Sequence, residues 1–202
     1  HCDDAPKTIP IIAVPTTAGT GSEVTCWATL WSSETQQKLS LALKELYPEI
    51  ALIDPTLTLQ KPSDITLVTA LDSLESIWNI NANPVSARFA VAAAKSILRD
   101  LPTLLANLDD LELRTNIAEA SLNAGLAFSN TKTAIAHNIS YPLTLGWGIK
   151  HGIACSFTLP SVLQSIIGIG GFRENSLKQI FGDDLAKGAD DLTSFLKGVG
   201  VG

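Results

Sequence analysis

From Pro62 to the end of the chain, apolar residues recur every three or four positions, which is the spacing of amphipathic α-helices. Pro62 and Ser63 supply a helix start, and Pro102 is predicted to interrupt a later, alanine-rich helix. The predicted helical segments are 62–79, 85–101, 108–130, two more within 131–166, and one or two within 174–197. This pattern predicts an all-helical part.

The first 61 residues have a different character, because short β-branched runs alternate with proline-containing turns. The predicted strand segments are 8–15, 24–33, 38–43 and 49–54. The chain therefore divides into a β-containing part and a helical part, with a boundary near residue 61 and no long linker.

Composition narrows the function classes. Hydrophobic residues make up 46% of the 202 residues and charged residues 17%, as in chains that bury a sizeable core. The net charge of -6 argues against nucleic acid or an anionic membrane as partner, and no apolar run reaches membrane-spanning length.

Three widely spaced cysteines (Cys2, Cys26, Cys155) favour reduced thiols in a cytoplasmic protein. The chain contains no methionine, so we expect it to be part of a longer polypeptide.

The segment VPTTAGTGSEVT, residues 14–25, follows a predicted strand and is rich in Gly, Thr and Ser. Such a loop exposes backbone N–H groups and hydroxyls to a phosphate, with Gly19 and Gly21 allowing close approach of the backbone. It matches neither a GxGxxG fingerprint nor a Walker loop, and a tight polar turn explains it equally well.

His137 and His151 lie in one apolar, helix-prone segment. A histidine on an apolar helix face is usually a core residue, but an intervening turn over 141–150 would fold these two together around a metal. Asp72, an acidic residue in an apolar helical run, is a candidate third ligand. A solvated polar face is the alternative for Asp72.

Three blocks of sequence carry a resemblance to a known family. They are PTTAGTGSEVT (15–25), LIDPTLTLQKPSDITLVTALD (52–72) and AIAHNISYPLT with GIKHGIACSFTLP (134–144 and 148–160). In this order and spacing they resemble the iron-containing (group III) alcohol dehydrogenases. The resemblance implies the tail of an N-terminal dinucleotide-binding α/β domain (1–61), followed by a C-terminal helical metal-binding domain (62–202) of the dehydroquinate synthase-like type.

The same resemblance implies an oxidoreductase that uses Fe(II) or Zn(II) together with NAD or NADP. By position, Asp72, His137 and His151 match metal ligands of the family. The residues that match its cofactor-contacting positions are Thr16, Thr17, Thr20 and Lys38, the last on the nicotinamide side.

The chain departs from the family pattern at several positions. A histidine four residues after the aspartate is the family's fourth ligand, and Ser76 stands there. Either the histidine is absent, or four residues are missing between Asp72 and Ser73, which is the alignment we favour. The family's upstream Gly-rich pyrophosphate loop is not in the chain. Tyr141 replaces a further histidine of many relatives and is a candidate proton donor or packing residue.

These features predict a metal-dependent NAD(P)(H) alcohol dehydrogenase or aldehyde reductase with a small-molecule substrate, in a homo-oligomer. The segment LESIWNINANPVS (74–86) resembles the branch that reduces phosphonoacetaldehyde. Lys132 and Lys150 would supply positive charge for such an anionic substrate, and the alternative is that both are solvated lysines at helix ends. The alternatives are a glycerol-dehydrogenase-like relative and a catalytically incompetent helical fragment that serves oligomer contacts.

Overall fold

The structure is a computed structural model that describes residues 9–32, 34–35, 37–74, 81–131 and 134–201. Within these ranges the side chains of Trp31, Gln37 and Lys38 lie outside the described part.

The strands form two small sheets. β1 (Ile12–Ala13) and β4 (Ile50–Ala51) pair in parallel. β2 (Trp27–Ser32) and β3 (Gln37–Ala42) form an antiparallel pair with Trp27 opposite Ala42. Three of the four predicted strand segments contain one of these strands, and the segment 38–43 overlaps β3, which begins one residue earlier at Gln37.

The helices follow without a further strand in the described residues after Ala51. Their bounds are α1 Ser63–Leu74, α2 Pro84–Ala106, α3 Leu111–Ser129, α4 Ile135–Trp147, α5 His151–Ser156, α6 Leu159–Ile166, α7 Gly171–Phe181 and α8 Leu185–Gly198. Two starts show why the helices begin there. The Asn83 side chain accepts from two backbone amides of the first turn of α2, and the Asp110 side chain accepts from the backbone amide of Leu113 in α3.

The core lies between the helices. α1 packs against α2, α3 and α5, while α2 also contacts α3 and α7, and α8 contacts α6 and α7. The side chains at the centre are completely or almost completely buried, and they include Leu71, Leu74, Ile97, Leu101, Leu104, Leu159, Leu163 and Leu192. Burial of such side chains contributes roughly 2 kcal/mol each.

Two prolines are accommodated inside helices, against the sequence prediction. α2 runs through Pro102 to Ala106, because the fully buried Leu101 and Leu104 on either side hold that turn against the core. α4 runs through Pro142 to Trp147, so the turn predicted over 141–150 is confined to 148–150. Gly148 ends α4 in the left-handed conformation, with φ of 69°.

Within the described residues, no helix has both the length and the apolar character needed to cross a membrane.

Candidate metal centre

Three helices each contribute one side chain to a single cluster. α1 carries Asp72, α4 carries His137 and α5 begins at His151. The Nε2 atoms of the two histidines lie 3.2 Å apart, and Asp72 Oδ1 lies 3.8 Å from each of them. The structure therefore brings together the three residues that the sequence analysis assigned to a metal.

Gly152 explains how α5 comes so close to α1. A Cβ at this position would overlap the carbonyl oxygen of Val68 and lie 2.9 Å from its carbonyl carbon. Val68 is one turn before Asp72 on α1. The missing side chain thus allows the first turn of α5 to place His151 beside Asp72.

Cys155 is a fourth member of the cluster, and the sequence analysis did not assign it to the site. Its thiol is fully buried, and the four residues offer ligand atoms within 4.8 Å of one another. Sγ lies 3.6 Å from His137 Nδ1, and 3.8 and 3.7 Å from the Nδ1 and Nε2 of His151. The spacing of four residues from His151 on a helix would have indicated this neighbour.

The cluster opens on one side. The side chains of His137 and Asp72 are 9% and 15% exposed, whereas that of His151 is 26% exposed. The ring of Tyr141 lies beside this more exposed histidine, nearly parallel to the His151 ring, with ring centroids 6.2 Å apart. A small molecule would therefore approach along His151 and Tyr141.

The donor set fits a divalent cation. Two imidazole nitrogens and one carboxylate oxygen form one of the three-ligand sets found at catalytic zinc sites, and mixed N/O ligation also suits Fe(II). Two nitrogens on a tetrahedral metal with ordinary bond lengths are roughly 3.3 Å apart. The observed Nε2 separation of 3.2 Å matches that spacing.

The Gly- and Thr-rich loop is packed against the helices that hold the cluster. A Cβ at Gly19 would lie 2.6 Å from the carbonyl oxygen of Thr69, and Ser73 Oγ donates to the carbonyl of Gly19 at 3.0 Å. A Cβ at Gly125 of α3 would lie 2.8 Å from the Cα of Gly21. Gly19 and Gly21 therefore allow close approach of this loop to α1 and α3, a role outside the two alternatives, a phosphate loop or a tight polar turn, that the sequence left open.

The candidate cofactor residues lie on the same loop and on β3. Thr16 and Thr20 are exposed and Thr17 is half-buried, and Thr20 Oγ1 lies 2.7 Å from the hydroxyl of Ser22. Lys38 is in β3, with its side chain outside the described part. The bond between Ser73 and Gly19 ties this loop to the residue that follows Asp72.

The remaining sequence candidates have mixed outcomes. Ser76 and Lys132 lie outside the described residues. Lys150 donates to the carboxylate of Asp64 at 2.6 Å, and both side chains are about half exposed. Its positive charge is therefore already balanced by the first turn of α1.

Two ionisable groups, the buried Glu23 and the half-buried Lys61, lie near the loop and have shifted pKa values. Burial raises the pKa of Glu23, which is 5% exposed. Burial, with a smaller contribution from the charge of Arg114, lowers the pKa of Lys61 to about 8. The Lys61 ammonium donates to Thr69 Oγ1 at 3.1 Å, on the same turn of α1 that contacts Gly19.

Comparison with known proteins gives consistent results. The model of the Fe-containing alcohol dehydrogenase family, C-terminal, matches residues 66–195, and that of the iron-containing alcohol dehydrogenase matches residues 2–55. The chain is 36% identical over 158 residues to the NAD-dependent methanol dehydrogenase of Bacillus methanolicus, covering 76% of this chain and 42% of the relative. It is 35% identical to the phosphonoacetaldehyde reductase of Streptomyces viridochromogenes, covering 80% and 42%.

Among solved structures, the sulfoacetaldehyde reductase of Bifidobacterium kashiwanohense in complex with NAD+ superposes with a TM-score of 0.91 at 36% identity. That alignment covers 97% of this chain and 54% of the reductase. The chain thus spans about half the length of the relatives it matches. The predicted fold class, strands of an α/β domain followed by a helical domain, is confirmed, and the chain belongs to the iron-containing alcohol dehydrogenase family.

Proposed function

We propose that the protein is a metal-dependent NAD(P)(H) alcohol dehydrogenase that acts as an aldehyde reductase. Asp72, His137 and His151 hold the metal in this proposal. The observation that carries it is the convergence of two imidazole nitrogens and one carboxylate oxygen from three separate helices. Three ligands leave one coordination position for a substrate oxygen.

The roles of the side chains follow from their positions. A divalent cation, Fe(II) or Zn(II), supplies polarisation of a substrate oxygen, and the nicotinamide supplies or accepts the hydride. Asp72 balances the charge of the cation, and the low exposure of His137 limits the access of water. Tyr141, beside both imidazole rings, is the candidate proton donor through its phenolic oxygen.

The cofactor would lie against the Thr-rich loop, with residues 1–61 as the C-terminal part of the nucleotide-binding domain and residues 62–202 as the metal-binding domain. Thr16, Thr17 and Thr20 offer hydroxyls there, and Lys38 is the candidate on the nicotinamide side. NAD is the favoured dinucleotide, because the methanol dehydrogenase is named as NAD-dependent and the sulfoacetaldehyde reductase was crystallised with NAD+.

The proposed substrates are short aldehydes that carry an acidic group. Two of the relatives reduce phosphonoacetaldehyde and sulfoacetaldehyde according to their names, and both aldehydes pair a small carbonyl with an anion. Iron(II) is the proposed native metal, since it gives the family its name.

A metal and activity assay on matched variants tests the proposal. The purified protein is loaded with Fe(II) or Zn(II), and metal content is measured together with NADH and NADPH oxidation. The aldehyde panel includes phosphonoacetaldehyde and sulfoacetaldehyde, and glycerol oxidation is measured in parallel. His151→Ala should lose metal and turnover together, while Asn138→Ala, an exposed position next to His137, should retain both.

Three outcomes decide against parts of the proposal. Unchanged metal content in His151→Ala overturns the ligand assignment. Turnover of glycerol alone favours the glycerol-dehydrogenase-like alternative. A parent protein that binds neither metal nor dinucleotide favours the catalytically incompetent alternative.

A further inference from the structure

Ser140 lies at the contact between the two histidines. It is on α4, one turn after His137, and it is completely buried. Its hydroxyl donates to the backbone carbonyl of His137, with an oxygen–oxygen distance of 2.7 Å. The same Oγ lies 3.2 Å from Nδ1 of His151.

A serine hydroxyl has one hydrogen and two lone pairs. The Ser140 hydrogen is used in the bond to the His137 carbonyl, so towards His151 the oxygen acts as an acceptor. Nδ1 of His151 therefore carries a proton, and in the neutral ring Nε2 presents its lone pair. That lone pair is directed towards Nε2 of His137 and the carboxylate of Asp72.

We propose that Ser140 is a positioning residue that fixes His151 in the Nδ1–H tautomer, so that Nε2 is the nitrogen that binds the metal. The inference rests on the metal ligation proposed above. With His151 Nε2 as the acceptor, the metal-free His137 carries its proton on Nε2 and donates it across the 3.2 Å contact, while its Nδ1 faces Cys155 Sγ. Partners on the far ring nitrogen commonly orient metal-binding histidines.

Removal of the hydroxyl should weaken the site without removing any ligand. Without its acceptor, His151 can protonate Nε2, and the metal then has to displace that proton before binding. Loss of such an orienting partner costs about 10- to 100-fold in metal affinity. Ser140→Ala adds no volume to the core, and alanine favours the helix.

Imidazole nitrogen NMR and metal titration test the proposal on the same protein. The chain has three histidines, so protein labelled with nitrogen-15 in its histidine rings gives a simple spectrum. The signals that disappear in His137→Gln are those of His137. The spectrum is recorded without metal at a pH well above the ordinary imidazole pKa. Zn(II) affinity is measured separately by competition with a chelator. Ser156→Ala is the matched control, because Ser156 is equally buried and donates to the carbonyl of Ile153.

The expected result has three parts. His151 is in the Nδ1–H form in the parent and in Ser156→Ala, Ser140→Ala loses this preference, and its Zn(II) affinity falls at least tenfold. An Nε2–H form of His151 in the parent overturns the inference, and so does an unchanged affinity in Ser140→Ala. A parent with the Nδ1–H form that binds no metal contradicts the proposed function instead.

Discussion

At the scale of single residues, Gly152 controls the distance between α5 and α1. Gly152→Ala places a methyl group into the backbone of Val68, so the first turn of α5 has to move away from α1. We expect a loss of about 1–3 kcal/mol in the free energy of unfolding, together with loss of metal binding, because His151 moves with that turn. Urea unfolding and metal content measure the two effects.

Gly146→Ala is the matched control for this prediction. Gly146 is an exposed residue of α4, and a Cβ there would meet nothing within 4 Å. We expect this variant to keep its metal and to gain about 0.5–1 kcal/mol of stability. If Gly152→Ala keeps its stability and its metal as Gly146→Ala does, the contact between Gly152 and Val68 does not position His151.

Lys61 makes stability depend on pH. Its pKa is about 8 in the folded protein and 10.5 for an unperturbed lysine, so the unfolded chain binds more protons between these values. The penalty of burying the charged ammonium is complete below pH 8 and is relieved as the pH rises to 10.5. Stability from this residue therefore increases with pH across that window.

Lys61→Met removes the titrating group and keeps an apolar side chain. We expect the variant to gain stability relative to the parent at pH ~7 and to lose that advantage at pH ~10. Urea unfolding of both proteins at the two pH values gives the difference. An advantage of equal size at both pH values would show that the amine does not titrate in this window.

At the scale of elements, Arg114 joins α3 to α1 and to the segment that precedes α1. It is 2% exposed, and its guanidinium donates to Thr66 Oγ1 and to the carbonyls of Leu59, Lys61 and Leu108. Burial lowers the pKa of Arg114, which disfavours its charge. The hydrogen bonds to these oxygens stabilise the charged guanidinium in place of water. Five N–H donors in one plane allow a single side chain to contact three elements.

Arg114→Met should therefore destabilise the contact between these elements. The carbonyls lose a charged donor, and we expect a loss of about 3 kcal/mol in the free energy of unfolding. The urea midpoint falls while the slope stays constant if only stability changes. Lys187→Met, which removes an exposed cation on α8, should leave the midpoint unchanged. Equal midpoints for the two variants would contradict this role of Arg114.

The sequence predicts helices and strands well where the apolar pattern continues over many residues. The segment 108–130 contains all of α3, and each predicted strand segment overlaps a strand, because apolar helical periods and β-branched runs carry strong local signals. Pro102 and Pro142 were misjudged for one physical reason. Tertiary packing holds both helices together where local propensity would break them.

The candidate site was predictable only in part. Asp72, His137 and His151 could be selected because ionisable residues are unusual in apolar helical segments. Cys155 was indicated only by its spacing of four residues from His151 on one helix. Ser140 could not be selected, since small polar residues on a helix face are common and its role depends on which ring nitrogen it meets. The contact at Gly152 likewise requires knowledge of which helix lies opposite.

At the scale of the whole molecule, the metal cluster brings together residues that are distant in the sequence. Asp72 precedes His137 and His151 by a long stretch that contains α2 and α3, and these two helices pack on each other and, through α2, on α7. A cation bound by α1, α4 and α5 would therefore oppose separation of these three helices from one another when the helical part unfolds. Metal binding and global unfolding are then linked, because the unfolded chain does not keep the three ligands together.

This linkage predicts a thermal shift. A metal at 100 times its dissociation constant stabilises the folded state by about 2.7 kcal/mol. For a chain of this size that corresponds to a rise of roughly 5–10 °C in Tm. Scanning calorimetry with Zn(II) or Fe(II), and again after a chelator, measures the shift. Asp72→Asn should abolish it, whereas Asp64→Asn, an exposed aspartate on the same helix, should preserve it. A shift that persists in Asp72→Asn would place the stabilising metal outside this cluster.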